Sequence, residues 1–566
     1  MLLLILSWIY ILITTVHLGY GTARFLKLNA TNFVVTSILG LFSATMLGSI
    51  WAIFGRINIE FHFFLLAINL LLFWFYKKEI CAIYYSFTTE LKALNNSLRW
   101  YLLGITVLII AQCAAKPFII DNESYYIQTI KWINEYGLVK GLANLHIFFG
   151  QTSGWHLTQS IFNFSFLYSN FNDLSGYCLL LGSVFAIFRL DYYFEKGEKI
   201  DLIIGLLPIA NVLLFQFISA PSPDLPVYVF SFILFYYFIT DFKASSSSSF
   251  TIQVLLTLFI LFIKPTALSL LLIPFLFLIA NFKLLKNKLV PSILISLLVF
   301  ALFIIKNTII TGYPLFPTQL ISVNSFDFKV PNELIAFYFD ETKLYGFYSS
   351  QNEFHAMSWF QLFIKWLTIN KINALFNVTS ILLVLFSSLF IYKFQNKRSY
   401  WLLYLVMVLQ FGLLLFTSPQ FRFFIHFLLF FGFLLLSSFI NSKRSVLFFL
   451  FGSGLLVLIM VLVPLNLSVF TTNKLLSENS TFKLNEIIFP HTNTKKQNQF
   501  YKAKIGNLEF NFPLDNSFFW GTGDGAVPCV NTQQLEYFKN QFHYIPQLRT
   551  THLKEGFYSK KILQNE

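Results

Sequence analysis

Asp121 and Glu123 are the first residues in this chain whose type and position could do chemistry. They stand in KPFIIDNESYY, just past an apolar run and at the head of the first long polar interruption, Lys116–His156. A carboxylate at a membrane surface can take a proton from an acceptor hydroxyl or help hold a divalent metal. The i, i+2 spacing turns the two in different directions on a helix, so only one need face a site. The plainer alternative is a solvated acidic pair beside a span, or a cap for the following helix.

Other lone charges sit at comparable edges. Arg422, in TSPQFRFF, lies near the start of an apolar run. An arginine there is costly, and its planar fork suits a phosphate or, alternatively, a structural carboxylate partner. Asp224 lies in the Pro-rich turn SAPSPDLP and reads as a site acid or an N-cap. Lys264, in IKPTAL, is a phosphate contact or a side chain snorkelling to the interface. Lys306 and Asn307 open KNTIITGYPLFP, where a basic residue also suits a helix C-terminus and Gly312, Pro314 and Pro317 fix a turn. His146 and His156, in the first long loop, and His355 are open to surface, core or binding roles. No HExxH, GxSxG or P-loop is present, which leaves zinc, serine and nucleotide hydrolysis without a motif.

The elements that must position these groups are membrane helices. The 566 residues are 56% hydrophobic and 12% charged, against about 25% charged in soluble proteins. Apolar runs predict about fourteen spans, near 2–20, 32–53, 59–76, 100–117, 174–192, 201–219, 225–241, 250–264, 266–282, 289–310, 372–393, 399–418, 421–440 and 446–468. Residues 157–170 are short and polar, and read as re-entrant or interfacial. The N-terminal run lacks a basic flank and a cleavage site, and reads as a retained span. Cys81, Cys113, Cys178 and Cys529 show no metal or disulfide spacing.

The net charge of +14 comes mostly from Lys and Arg in alternate short connections, which marks those connections as cytoplasmic. No basic patch with interleaved aromatics forms a nucleic-acid-binding domain. The opposite face then receives the loop 116–172, the turns around Asp224, Lys264 and Arg422, the loop 311–371 and the tail 470–566. The expected organisation is N-terminal spans (1–115), a first large loop with an amphipathic helix (116–172), a membrane core (173–469) and an extracytoplasmic C-terminal α/β domain (470–566). The serine run at 245–249 reads as a flexible cytoplasmic linker. The fold class is an all-α polytopic bundle with that small domain attached. No internal repeat points to a duplicated transporter.

The first-loop acids, the IKWINEYGLVKGLANLH stretch, the GYPLFP segment and the SPQFRF segment together resemble the GT-C class of integral-membrane glycosyltransferases, over roughly 116–425. The likeness is greatest to a bacterial branch with similar first loops. Two features differ from the class: three spans precede the one leading to the loop, and the acidic motif is D-x-E. The resemblance implies a multi-pass protein of the bacterial inner membrane. It would move a sugar from a polyprenyl-phosphate donor to a glycan, lipid or protein acceptor at the extracytoplasmic face. It also implies Asp121 as catalytic base with Glu123 beside it. Arg422, Lys264 and Lys306 would hold the lipid phosphate, and Asp224 and His146 would complete the substrate site. The class allows for a divalent metal, Mg or Mn. The rival expectations are a flippase or transporter of lipid-linked saccharides, and a glycan polymerase or ligase.

Overall fold

The computed structural model describes the chain except residues 29–31, 169–170, 244–245, 323–324, 370, 496, 516 and 563–566. The apolar runs form helices: α1 (Leu2–Phe25), α2 (Phe33–Phe54), α3 (Ile59–Ala93) and α4 (Asn96–Ala114). The first loop supplies α5 (Ile127–Tyr136) and α6 (Gly154–Ile161). Then follow α7 (Leu174–Lys196), α8 (Lys199–Phe217), α9 (Asp224–Asp241), α10 (Ser247–Ile263), α11 (Pro265–Ala280) and α12 (Phe282–Thr311). After α13 (Asn332–Phe347), α14 (Gln351–Ala356) and α15 (Trp359–Leu367) come α16 (Ile372–Phe394), α17 (Arg398–Phe416), α18 (Ile425–Phe439) and α19 (Lys443–Leu462). Among the described residues, 11 helices are long and apolar enough to cross a membrane. The remaining three expected spans are the shorter apolar helices α10, α11 and α18. The chain is a multi-pass membrane protein.

Polar side chains mark where the helices begin. The Asn32 carboxamide accepts from the Val35 N–H at 2.9 Å, and Ser442 accepts from the Ser445 N–H at 3.1 Å. Small residues let helices touch. A methyl group on Gly19 or Gly40 would collide with the backbone carbonyl of Thr36 or Thr15, so α1 and α2 meet backbone to backbone.

One expectation needs correction and two gain detail. The third span breaks at a kink at Tyr76 (φ −130°, ψ 30°), where Arg24 stacks 4.5 Å from the ring, and beyond the kink α3 continues as a second helical stretch to Ala93. The serine run is not wholly a linker: Ser246 caps α10, and Ser247 to Ser249 form its first turn. Hydroxyls satisfy orphan N–H groups at a helix start, and that outweighs their low helix propensity. Within 157–170, the helical part ends at Ile161, and α6 is buried along its whole length.

The C-terminal stretch folds as two antiparallel strand pairs, β1 (Phe500–Ile505) with β2 (Leu508–Pro513) and β3 (Tyr544–Leu548) with β4 (Phe557–Lys561). Helix α20 (Thr532–Phe542) lies between the pairs in sequence. This unit shares one core with the first loop and the stretch after α12: Trp132, Leu142 and Phe149 pack with Tyr313, Ile335, Leu508, Val530 and Phe557. Three segments far apart in sequence thus make one cap at one end of the bundle.

Candidate functional site

Asp121 precedes a single π-helical turn, Asn122–Tyr126, that leads into α5. Such turns are rare and often mark functional positions. Its carboxylate accepts a hydrogen bond from Arg422 Nη1 at 2.8 Å, across 301 residues of chain. Arg422 sits in the one-turn segment Phe421–Phe423 that opens α18. Its Nε donates to Gln420 Oε1 at 2.8 Å, and its carbonyl accepts from the Tyr228 hydroxyl at 2.7 Å.

Tyr228 lies one turn along α9 from Asp224, the first residue of that helix. The Asp224 carboxylate is in direct contact with the Lys264 ammonium, which caps α10. Phe423 ties the two ion pairs together: Lys264 Nζ stands 4.1 Å and Arg422 Cζ 5.2 Å from its ring centre. Four charges from four separate turns therefore gather at the capped end of the bundle. The outer pair keeps an open edge, with Arg422 30% and Asp121 23% exposed, while Asp224 is only 4% exposed.

Tyrosines wall this quartet. Tyr125, Tyr126, Tyr338 and Tyr345 all lie within electrostatic reach of Arg422. Burial pushes the Tyr125 and Tyr126 hydroxyls well above their ordinary range, so both stay protonated. The Tyr125 hydroxyl donates to Gln151 Oε1 at 3.1 Å. The arrangement can bind an anion between two cations and offer a carboxylate beside it. Among the described residues no group of three or more His, Cys, Asp or Glu side chains converges on a metal position. Both site carboxylates already face cations, so this donor set does not fit a divalent ion.

Residues 1–429, a span that includes all four charges, match the family described as Domain of unknown function (DUF8201). The chain belongs to that family. Comparison with curated proteins and with solved structures gives no match.

The other three expected site residues lie elsewhere. Glu123 points away from the quartet. Its carboxylate accepts from the Lys495 N–H, and it lines a polar cleft of about 410 Å³ together with Lys116, Lys474, Glu478 and Asn498. His146 is buried in the cap, where its Nδ1 accepts from the Phe148 N–H at 3.1 Å and its Nε2 lies 3.3 Å from the Trp520 carbonyl. That pairing requires the neutral Nε2–H form, and burial lowers the imidazole to about 4. Lys306 is buried in α12, and its ammonium donates to Asn307 Oδ1 at 2.6 Å and to the Thr152 carbonyl at 2.5 Å. Each of the three is held by neighbours outside the quartet.

Several contributors carried no recognisable signal. Tyr228, Gln420 and Phe423 reach the site only through the fold, although Phe423 adjoins the conspicuous Arg422. His426 stands one turn beyond Arg422 in α18, buried, with neither ring nitrogen hydrogen-bonded among the described residues. The RFFIH spacing could have flagged it. Thr522 was beyond sequence reasoning. Its hydroxyl donates to the Glu123 and Ser124 carbonyls at 3.1 and 3.0 Å, and its N–H to the Glu123 carbonyl at 2.9 Å.

Proposed function

We propose that this chain is a GT-C-like glycosyltransferase of the bacterial inner membrane. It takes a sugar from a polyprenyl-phosphate donor and passes it to a glycan, lipid or protein acceptor at the extracytoplasmic face. The observation that carries the reading is the meeting of Asp121 with Arg422, and of Asp224 with Lys264, around one aromatic ring at the end of an apolar bundle. The three shorter apolar helices are read as further spans, giving fourteen. The Lys- and Arg-rich connections opposite the cap are read as cytoplasmic.

The chemistry follows from charge. A sugar–phosphate bond already has a good leaving group, so the protein must orient the acceptor, remove its proton and neutralise the departing phosphate. The acceptor oxygen bonds to the anomeric carbon as the carbon–oxygen bond to phosphate breaks. The acceptor proton passes to the Asp121 carboxylate, and the electron pair of the broken bond stays on the phosphate. Arg422 and Lys264 meet that phosphate. Asp224 holds Lys264 in place, and the tyrosine wall limits water.

The test is transfer by the purified protein in liposomes, supplied with a panel of polyprenyl-phosphate sugars. Wild type should transfer at least one of them, while Asp121→Asn and Arg422→Ala should not. Equal turnover by all three proteins would remove the site, and no turnover with any donor would remove the reaction.

A further inference from the structure

A mostly apolar cavity lies away from the charge quartet. It has a volume of about 640 Å³ and lies where α2 turns into α3. Leu47, Ile50, Trp51, Phe54 and Phe64 form its body, and Arg56, Glu60, Glu135, Tyr136 and Lys554 stand at its polar end. Three of the body residues are open to the outside: Ile50 39%, Phe54 77% and Phe64 36% exposed. A soluble protein would rarely leave such a strip bare, but beside a bilayer it is a surface for acyl chains.

The floor of this groove is preformed. The Leu138 N–H donates to the Ala52 carbonyl at 2.7 Å and the Ile57 N–H to the Ile133 carbonyl at 3.1 Å. Asn58 and Asn134 add further bonds, Asn58 Nδ2 to the Asn134 carbonyl at 3.1 Å and Asn134 Nδ2 to the Ile57 carbonyl at 2.6 Å. The Trp51 indole donates to the Arg56 carbonyl at 2.9 Å and so closes the corner. With the backbone stitched beneath it, the groove has no need to rearrange when it is filled.

The polar end selects the occupant. Arg56 and Glu60 there pair with each other at 2.5 Å, which leaves one cation, Lys554, and one acid, Glu135, for an occupant. A balanced set matches a head group that carries one phosphate and one ammonium, and it disfavours a net anion. Carboxylates also reward an N–H donor, which a quaternary ammonium lacks. Lys554 and Tyr136 belong to the cap, whereas Ile50 and Phe64 belong to the bundle, so the occupant would bridge the two.

We infer that the groove between α2, α3 and the cap seats one zwitterionic phospholipid bearing a primary amine. Its acyl chain lies along Ile50, Phe54 and Phe64, and its head group lies between Lys554 and Glu135. The inference is independent of any transfer reaction. Its test is native mass spectrometry of the full chain, released from nanodiscs holding equal phosphatidylethanolamine and phosphatidylglycerol. One retained phosphatidylethanolamine, enriched roughly fivefold over phosphatidylglycerol, is expected. Ile50→Trp, which fills the groove, and Lys554→Glu should lose that lipid. Leu294→Trp, at another exposed apolar position, should keep it. Equal retention of the two lipids, or a folded Ile50→Trp protein that retains the lipid as wild type does, would overturn the inference. If the groove variants fail to fold, the wild-type competition alone decides.

Discussion

Arg422 and Asp121 hold one another at 2.8 Å while each keeps an outward edge. An incoming phosphate competes for the guanidinium and so frees the carboxylate when it is needed. On the proposed reading, Asp121→Asn should lower turnover by at least ~100-fold, the lower bound for a positioned base. Arg422→Lys keeps the charge but loses the fork, and should retain part of the activity with a raised KM for the donor. The exchange Asp121→Arg with Arg422→Asp should restore thermal stability in detergent without restoring turnover. Restored turnover would mean that the pair is only structural. These two residues were legible in the sequence because each is a lone charge against an apolar run. Glu123 was not separable from Asp121 by spacing alone, since only the π-helical turn decides which of the two faces inward.

His146 gives a residue-scale prediction of another kind. Its imidazole sits near 4 in the folded protein, because burial disfavours the cation, against about 6.5 when unfolded. A lowered histidine value means that the unfolded chain binds the proton more readily. The stability from neutral His146 is therefore complete above pH 6.5 and lost as pH falls towards 4. The span is roughly 3 kcal/mol, at about 1.4 kcal/mol per pK unit. Melting temperature in detergent should drop across that window, and His146→Gln should flatten the drop. An unchanged profile in the variant would place the acid sensitivity elsewhere. His146 sits among aromatic residues of the first loop, and nothing in the sequence showed that Trp520 would lie against it.

Among the elements, the helices were the most legible. Each expected apolar run became a helix, because in lipid only internal hydrogen bonding satisfies the backbone. Ends were less legible. α3 continues beyond its apolar stretch, since a helix can outlast the membrane when its polar extension still carries good helix formers. The α1–α2 contact also yields a prediction. Gly40 lies where the α1 backbone passes, with the Thr15 carbonyl in the space a side chain would need. Gly40→Ile should force the helices apart and cost about 1–3 kcal/mol or more. The measure is a lowered melting temperature in detergent, compared with Gly452→Ile, where a side chain meets open space. Equal melting temperatures for the two variants would show that the contact contributes little.

At the scale of the whole molecule, the sequence could not show that the tail reaches back to the acidic motif. No local pattern links Thr522 to Glu123, and hydrogen bonds between segments 399 residues apart leave no periodicity to read. Yet this contact sets the site from behind. The carbonyls of Glu123 and Ser124 belong to the same π-helical turn that Asp121 precedes, and Thr522 satisfies them with its hydroxyl. Gln128 adds to the clamp by donating to the Gly523 and Gly525 carbonyls at 3.2 and 2.8 Å, and Lys131 pairs with Asp524 at 2.6 Å. Thr522→Val keeps the shape and removes the hydroxyl, so the Ser124 carbonyl loses that donor while the Glu123 carbonyl keeps the backbone N–H groups of residues 522 and 523, at a cost of about 1 kcal/mol. Since the turn would then loosen, the variant should lose transfer activity while its donor affinity, set by Arg422 and Lys264, changes little. Thr522→Ser should restore both stability and transfer. Full activity in a Thr522→Val protein that is measurably less stable would separate the clamp from the site and leave the cap as a support for the fold alone.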